Sequence, residues 1–193
     1  PNQVVIHQLE VINANVSEMP TDPKITPGVI QGAIVSGLKT LHWVAYQPSE
    51  KIDGYRLTMH VQFIHNRGQL KQNILKMKPN EVRVGGQMQL KHLQDVTRWG
   101  QFTSIGMVTG DYEQIAGRLQ EPVVSLIEMA VQKGMKELKA DALPRVTSDE
   151  RLMFMLYTDE QDVLAAVIRE LADRKVTTAG SELLAMLQQE KRP

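Results

Sequence analysis

Basic side chains are concentrated in the middle of the chain, and their chemistry is the easiest to define. From Tyr55 to Gly100, eight Lys and Arg residues stand against two acidic ones, a net charge of +6. Residues 1–54 carry −2 and residues 101–193 carry −4, so the whole chain is neutral. Cations gathered in this way are typical of surfaces that bind phosphates. The charge pattern therefore predicts an anionic partner for the middle segment.

Three predicted strands, 55–64, 82–90 and 96–109, would present many of these cations on one surface. In each strand apolar residues alternate with polar ones, so a shared core on one side leaves a polar face on the other. The side chains predicted on that face, or on the turn and short helix that extend it, are Arg56, His60, Gln62, Arg67, Lys71, Lys76, Lys78, Arg83, Gln87, Gln89, Lys91, Arg98 and Phe102. Cations for phosphates, amides for bases and Phe102 for stacking suit single-stranded DNA or RNA. The alternative is a solvated sheet face whose charge is balanced by acidic helices.

Signatures of catalysis are absent, which favours a non-enzymatic protein. The chain has no cysteine, no G-x-S-x-G motif, no Walker loop and no G-x-G-x-x-G motif. The five histidines include no H-E-x-x-H motif, and His60 and His65 fall on opposite faces of a strand. A metal site built from His60 and His92 on different strands remains an alternative, as does an enzyme built from distant histidines and acids. We expect no metal and no cofactor.

The first half of the chain reads mainly as strands that would position the basic residues. Residues 1–16 are rich in β-branched side chains and predict one strand. Residues 29–47 predict a short helix to about Lys39, with Thr26 as its cap, and then a strand from Thr40. Further expectations are a short helix over 68–78, a close backbone neighbour at Gly85-Gly86, and Trp99, Ile105 and Met107 facing the core.

The second half reads mainly as helix. Asp111 and Gln114 resemble a capping box that opens a short helix, and Pro122 to Lys139 predicts a longer one with an apolar stripe interrupted by Gly134. That glycine would allow another backbone to approach closely. The later expectations are a break at 140–145, a strand at 151–158, a helix from Thr158 to about Arg174, a turn at VTTAG and a last helix from Ser181 to Gln189.

These patterns predict an α+β fold of one domain, residues 1–193. Its sheet-rich part, residues 1–110, would hold a mostly antiparallel sheet or partial barrel, and its helix-rich part, residues 111–193, would pack against it. No signal peptide and no membrane span are expected, so we predict a cytoplasmic location or the interior of a virion. The leading function is binding of single-stranded nucleic acid by a homo-oligomer.

The same charge segregation also fits a structural protein, such as a capsid, tail or scaffold component. The basic middle of one copy would then contact the acidic helices of the next. The helices at 159–174 and 181–189 have the outline of a helix-turn-helix, but Glu182 would face the DNA phosphates. That acidic residue favours a role in packing or subunit contact for the helix pair.

Overall fold

The computed structural model describes residues 3–13, 26–66, 76–94, 100–116 and 121–190. Its fold class is α+β, as the sequence predicts, with strands in the first half and helices dominating the second. The chain divides into two compact units: the first is Val4–Leu138, and the second consists of the residues from Lys139 onward together with the residues before Val4.

The first unit is built on one five-stranded sheet of mixed direction. Its strands are β1 (Val4–Asn13), β2 (Val44–Tyr46), β3 (Tyr55–His65), β4 (Glu81–His92) and β5 (Gln101–Asp111). The spatial order is β2-β1-β3-β4-β5, with β1 parallel to both neighbours and β3, β4 and β5 antiparallel in succession. Only half of the sheet is therefore antiparallel. Helix α1 (Pro27–Lys39) lies between β1 and β2 in the chain, and such a crossover lets the two strands run parallel.

Helix α1 begins where its sequence predicts. Thr26 is the N-cap, its Oγ1 accepts a hydrogen bond from the Val29 N–H at 3.3 Å, and Pro27 lies in the first turn. Ile30, Ile34 and Leu38 recur at helical spacing and are buried. The strand predicted after α1 is confirmed but short, three residues in β2.

Helices α2 (Tyr112–Ala116) and α3 (Pro122–Arg145) follow the sheet. The Gln114 N–H donates to Oδ1 of Asp111 at 3.0 Å, which confirms the predicted cap. The break predicted at 140–145 is wrong, because α3 continues to Arg145 with Pro144 inside its last turn. A proline so close to the end removes only one of the helix's hydrogen bonds, and the helix ends there.

The second unit holds helices α4 (Asp149–Met155), α5 (Gln161–Asp173) and α6 (Thr177–Glu190). The strand predicted at 151–158 is wrong: Leu152 and Leu156 are four residues apart, on one helical face, and both are buried in a cluster with Val163, Val167 and Leu171 of α5. Some residues of this segment favour strands, but it adopts a helix because the four-residue spacing of Leu152 and Leu156 places both leucines in the apolar cluster.

The boundaries of the last two helices also differ from the predictions. Thr158 accepts a hydrogen bond from the Glu160 N–H, but no side chain caps the first turn of α5. The prediction of a turn at VTTAG is wrong, since α6 begins at Thr177. The chain reverses earlier because Lys175 has a positive φ of 57° and the Val176 N–H donates to the Leu171 carbonyl.

Some expectations lie outside the described residues. The short helix predicted over 68–78 falls mostly on residues 67–75, and Trp99 belongs to residues 95–99. Across the parts of the chain that are described, no helix is both long enough and apolar enough to span a bilayer.

Candidate functional site

The polar side chains of the sheet form rows that cross several strands. We call the side of the sheet that α3 contacts the helix-covered face, and the opposite side the polar face. One row on the polar face consists of Gln8, Arg56, Lys91 and Gln101, and the next of Glu10, Thr58, Gln89 and Thr103. The predicted alternation in β3 and β4 is confirmed by burial, since Leu57, Met59, Met88 and Leu90 on the other face are fully buried.

Arg56 and Lys91 are the central pair of the first row. They are directly opposite each other in the antiparallel pairing of β3 and β4, a position in which Cβ atoms are about 4.5–5.5 Å apart. Nε and Nη2 of Arg56 donate to Oε1 of Gln8 at 2.9 and 2.6 Å. Neither cation forms an ion pair with a carboxylate of the described residues. Two like charges facing each other destabilise a sheet, and a bound anion would relieve their repulsion.

Arg83 does not join this pair, which corrects the predicted single patch. It is opposite Ile64, eight residues along β3 from Arg56, and about 26 Å away at about 3.3 Å per residue. Its Nη2 and Nε are both 3.1 Å from Oε1 of Glu81. A hydrogen bond from the Lys78 N–H lowers the pKa of Glu81, so this carboxylate stays ionised and neutralises Arg83.

Phe102 lies on the wrong face for the stacking role predicted for it. It pairs with Leu90, whose side chain is fully buried on the helix-covered face. The residues of β5 on the polar face are instead the odd-numbered ones, and Ile105 among them is 61% exposed. The prediction that Ile105 and Met107 face the core is therefore wrong. Among the described residues of the polar face, the aromatic ring is the imidazole of His60.

The remaining predicted residues are distributed over separate places. His60 pairs with Ile12, and Gln87 pairs with Ile105, so both extend the polar face beyond its second row. Lys76 and Lys78 are exposed in the segment before β4. Arg67, Lys71 and Arg98 lie outside the described residues. The fold thus places Arg56, Lys91 and His60 on one face with Gln87 and Gln89. It separates Arg83 and Phe102 from this group.

A cluster of Ser49, His7 and Asp53 was not found from the sequence. Nδ1 of the buried His7 is 3.0 Å from Oγ of Ser49, and its Nε2 is 3.3 Å from Oδ1 of Asp53. The three residue types match a hydrolase triad, but Nδ1 also donates to the Gln47 carbonyl at 2.7 Å. Because that bond requires a proton on Nδ1, the same nitrogen cannot take a proton from Ser49. The cluster therefore ties the 47–53 segment to β1. No local sequence motif predicts the cluster, since His7 is 42 residues away from Ser49 in the sequence.

A metal site is not formed by the predicted histidines. His60 is on the polar face, whereas His92 is opposite Tyr55 on the helix-covered face, with the two rings edge-on at 4.9 Å. Within the described ranges, no three His, Asp or Glu side chains are grouped closely enough to hold a metal ion.

Comparison with known proteins adds no family: no protein-family model matches the chain, and no curated protein matches it either.

Proposed function

We propose that the polar face binds single-stranded nucleic acid, with Arg56 and Lys91 receiving the phosphates. The observation that carries the proposal is the direct juxtaposition of these two cations without a carboxylate partner among the described residues. The arrangement is favourable for the phosphates of one strand, because each cation can donate charge-assisted hydrogen bonds to a phosphate oxygen.

Neighbouring side chains supply groups for the bases and sugars. Gln89 and Thr103 flank the cation pair in the next row, and their amide and hydroxyl groups both donate and accept hydrogen bonds. His60 offers a ring for stacking on the same face. With one small ring and no base-specific array, the face suits a strand of mixed sequence held mainly through its backbone.

The test is a fluorescence-anisotropy titration of a labelled single-stranded oligonucleotide at increasing salt. Two phosphate contacts predict a log–log salt slope of about −1.4, at roughly 0.7 per contact for single strands. Arg56→Gln and Lys91→Gln should each reduce that slope by about 0.7. Lys39→Gln, which removes an exposed charge at the end of α1, is the matched control. Absence of binding at low salt, or equal losses in all three variants, would refute the proposal.

A second function, assembly, is favoured by apolar side chains exposed in the second unit. Phe154 is 77% exposed, Tyr157 62% and Leu184 61%. Large exposed apolar groups of this kind are common at protein–protein contacts. If they mediate assembly, light scattering of the nucleic-acid-free protein will give an oligomer whose mass falls in Phe154→Ser. A monomer at all concentrations would remove this alternative.

A further inference from the structure

The outer edge of β5 is the feature that the proposed function leaves unused. β5 is the terminal strand of the sheet among the residues that the structure describes. Nζ of Lys133 in α3 donates to the Met107 carbonyl at 3.0 Å, so this carbonyl points away from β4. Because both backbone groups of a residue point the same way and alternate along an antiparallel strand, Ile105, Met107 and Thr109 present N–H and C=O groups outward.

The outer edge of β5 forms one wall of a groove, and helix α3 forms the other. The groove has a volume of about 530 Å³ and runs between β5 and the outer side of α3. It is lined by Met107, Val108, Thr109, Met129, Gln132, Lys133 and Lys136. Met129 is 49% exposed, so its apolar side chain is accessible in the groove beside Lys133 and Lys136. A strand edge beside a helix is the arrangement to which extended peptides add as a further strand.

We propose that this groove binds an extended acidic peptide, which pairs with the edge of β5 and places carboxylates against Lys133 and Lys136. Charge complementarity identifies the occupant, since the charged groups that line the groove are both ammonium groups. When the ammonium group of Lys133 turns to a carboxylate of the peptide, it releases the Met107 carbonyl. That carbonyl can then accept a hydrogen bond from an N–H group of the peptide backbone. Apolar residues alternating with the acids would contact Met129.

A second copy of the chain fits the groove less well. Two copies paired through β5 would bring Lys133 and Lys136 of each beside those of the other, and like charges at a contact oppose association. Nucleic acid fits less well too, because its sugar-phosphate backbone has no N–H donors to pair with the outward C=O groups of Met107 and Thr109. The inference does not depend on the proposed function, since Arg56 and Lys91 lie two strands and one strand inward from this edge.

The experiment is a titration of the whole protein into a fluorescein-labelled peptide in which glutamate alternates with valine. A double variant, Lys133→Gln with Lys136→Gln, should weaken binding about tenfold, equivalent to about 1.4 kcal/mol. Lys91→Gln removes a charge from the polar face and should leave the affinity unchanged. A peptide with lysine in place of glutamate should not bind.

A proline pair separates edge pairing from simple charge attraction. Thr109→Pro removes an outward N–H inside the groove, which an edge strand tolerates, and it should abolish peptide binding. Thr103→Pro makes the same change on the same strand outside the groove and should bind normally. Equal affinity of both variants, or an oligomeric mass that changes only in Thr109→Pro, would overturn the proposal; the second result would make another copy the occupant. Circular dichroism confirms that each variant is folded.

Discussion

Gly134 of α3 is seated directly on Gly106 of β5, and the two glycines together let a helix backbone approach a strand backbone. A Cβ added to Gly134 would lie 3.1 Å from both Cα and N of Gly106. A Cβ added to Gly106 would overlap the Ala130 carbonyl oxygen. The Ser104 hydroxyl donates to the Gly134 carbonyl at 2.9 Å beside this contact. The contact fixes which face of β5 is covered by α3.

Gly106→Ala should therefore destabilise the first unit by about 3 kcal/mol or more, because its methyl group meets rigid helix backbone. Gly134→Ala should cost less, since the methyl group meets mainly the flexible Sδ of Met88 and the helix gains up to about 1 kcal/mol in propensity.

Gly32→Ala is the matched control for both glycine variants. Gly32 is in the interior of α1, and apart from its chain neighbours and the adjacent helix backbone no atom of the described residues lies within 4 Å of a Cβ added there. Its free energy of unfolding should rise by about 0.5–1 kcal/mol. Denaturant unfolding of the three variants measures the order, and a Gly106→Ala protein as stable as wild type would contradict the close packing.

Arg174 should be the most sensitive charged residue of the second unit. Its guanidinium donates to the carbonyls of Pro144 and Arg145 at the end of α3, to the carbonyl of Thr147 just after it, and to carboxylates of Glu170 and Asp149. Burial opposes its charge, but the hydrogen bonds to the two carboxylates outweigh it and raise the pKa of Arg174.

Arg174→Ala should cost about 2–3 kcal/mol, because it removes a guanidinium that donates to three carbonyls and two carboxylates at once. Arg174→Lys should recover less than half, since an ammonium group cannot reproduce a planar array of five N–H groups. Exposed Arg169→Ala on α5 should be nearly neutral. Urea unfolding followed by circular dichroism provides the comparison, and equal losses at Arg169 and Arg174 would contradict this role.

Glu81 should make the stability of the first unit depend on acidic pH. The Lys78 N–H and Arg83 favour the ionised carboxylate and lower the pKa of Glu81 below its ordinary value of 4.5. A depressed pKa contributes stability that is fully present above the unfolded-state pKa and is lost as the pH falls through the folded-state pKa.

The difference in stability between wild type and Glu81→Gln should therefore be largest at neutral pH and should shrink below about pH 4.5. Chemical unfolding at several pH values measures it. Glu137→Gln, which changes an exposed carboxylate on α3 of the same unit, is the comparison. A difference that is constant with pH would show that Glu81 acts only through its shape.

Ser49 should not behave as a catalytic nucleophile. Its neighbour His7 uses Nδ1 to donate to the Gln47 carbonyl, so the hydroxyl has no base at that nitrogen. A fluorophosphonate probe, which labels activated serines, should react no faster with wild type than with Ser49→Ala. Labelling that depends on both Ser49 and His7 would revive an enzymatic function.

Much of the local structure was predictable because it depends on neighbouring residues. Thr26 and Asp111 cap helices through atoms only three residues away, and Pro122 opens α3 as expected. The period of two in β3 and β4 identified their buried faces, because apolar and polar residues there separate cleanly. The close backbone approach predicted at Gly134 is confirmed for the same reason: a glycine inside an apolar helical stripe has a specific physical use.

The sequence by itself determined the α+β class, the main strands and the long helix, and the charge of the middle segment. The tertiary structure alone decided which side chains meet. β5 carries apolar residues on both faces, so only the seating of Gly134 on Gly106 decided that Phe102 turns toward α3 and Ile105 away from it. Likewise, the pairing of β3 with β4 places Arg56 opposite Lys91, whereas an ion pair with Glu81 neutralises Arg83. The sequence period of two shows that a strand has two faces. When both faces carry apolar residues, the packing of a helix from elsewhere in the chain decides which face is buried.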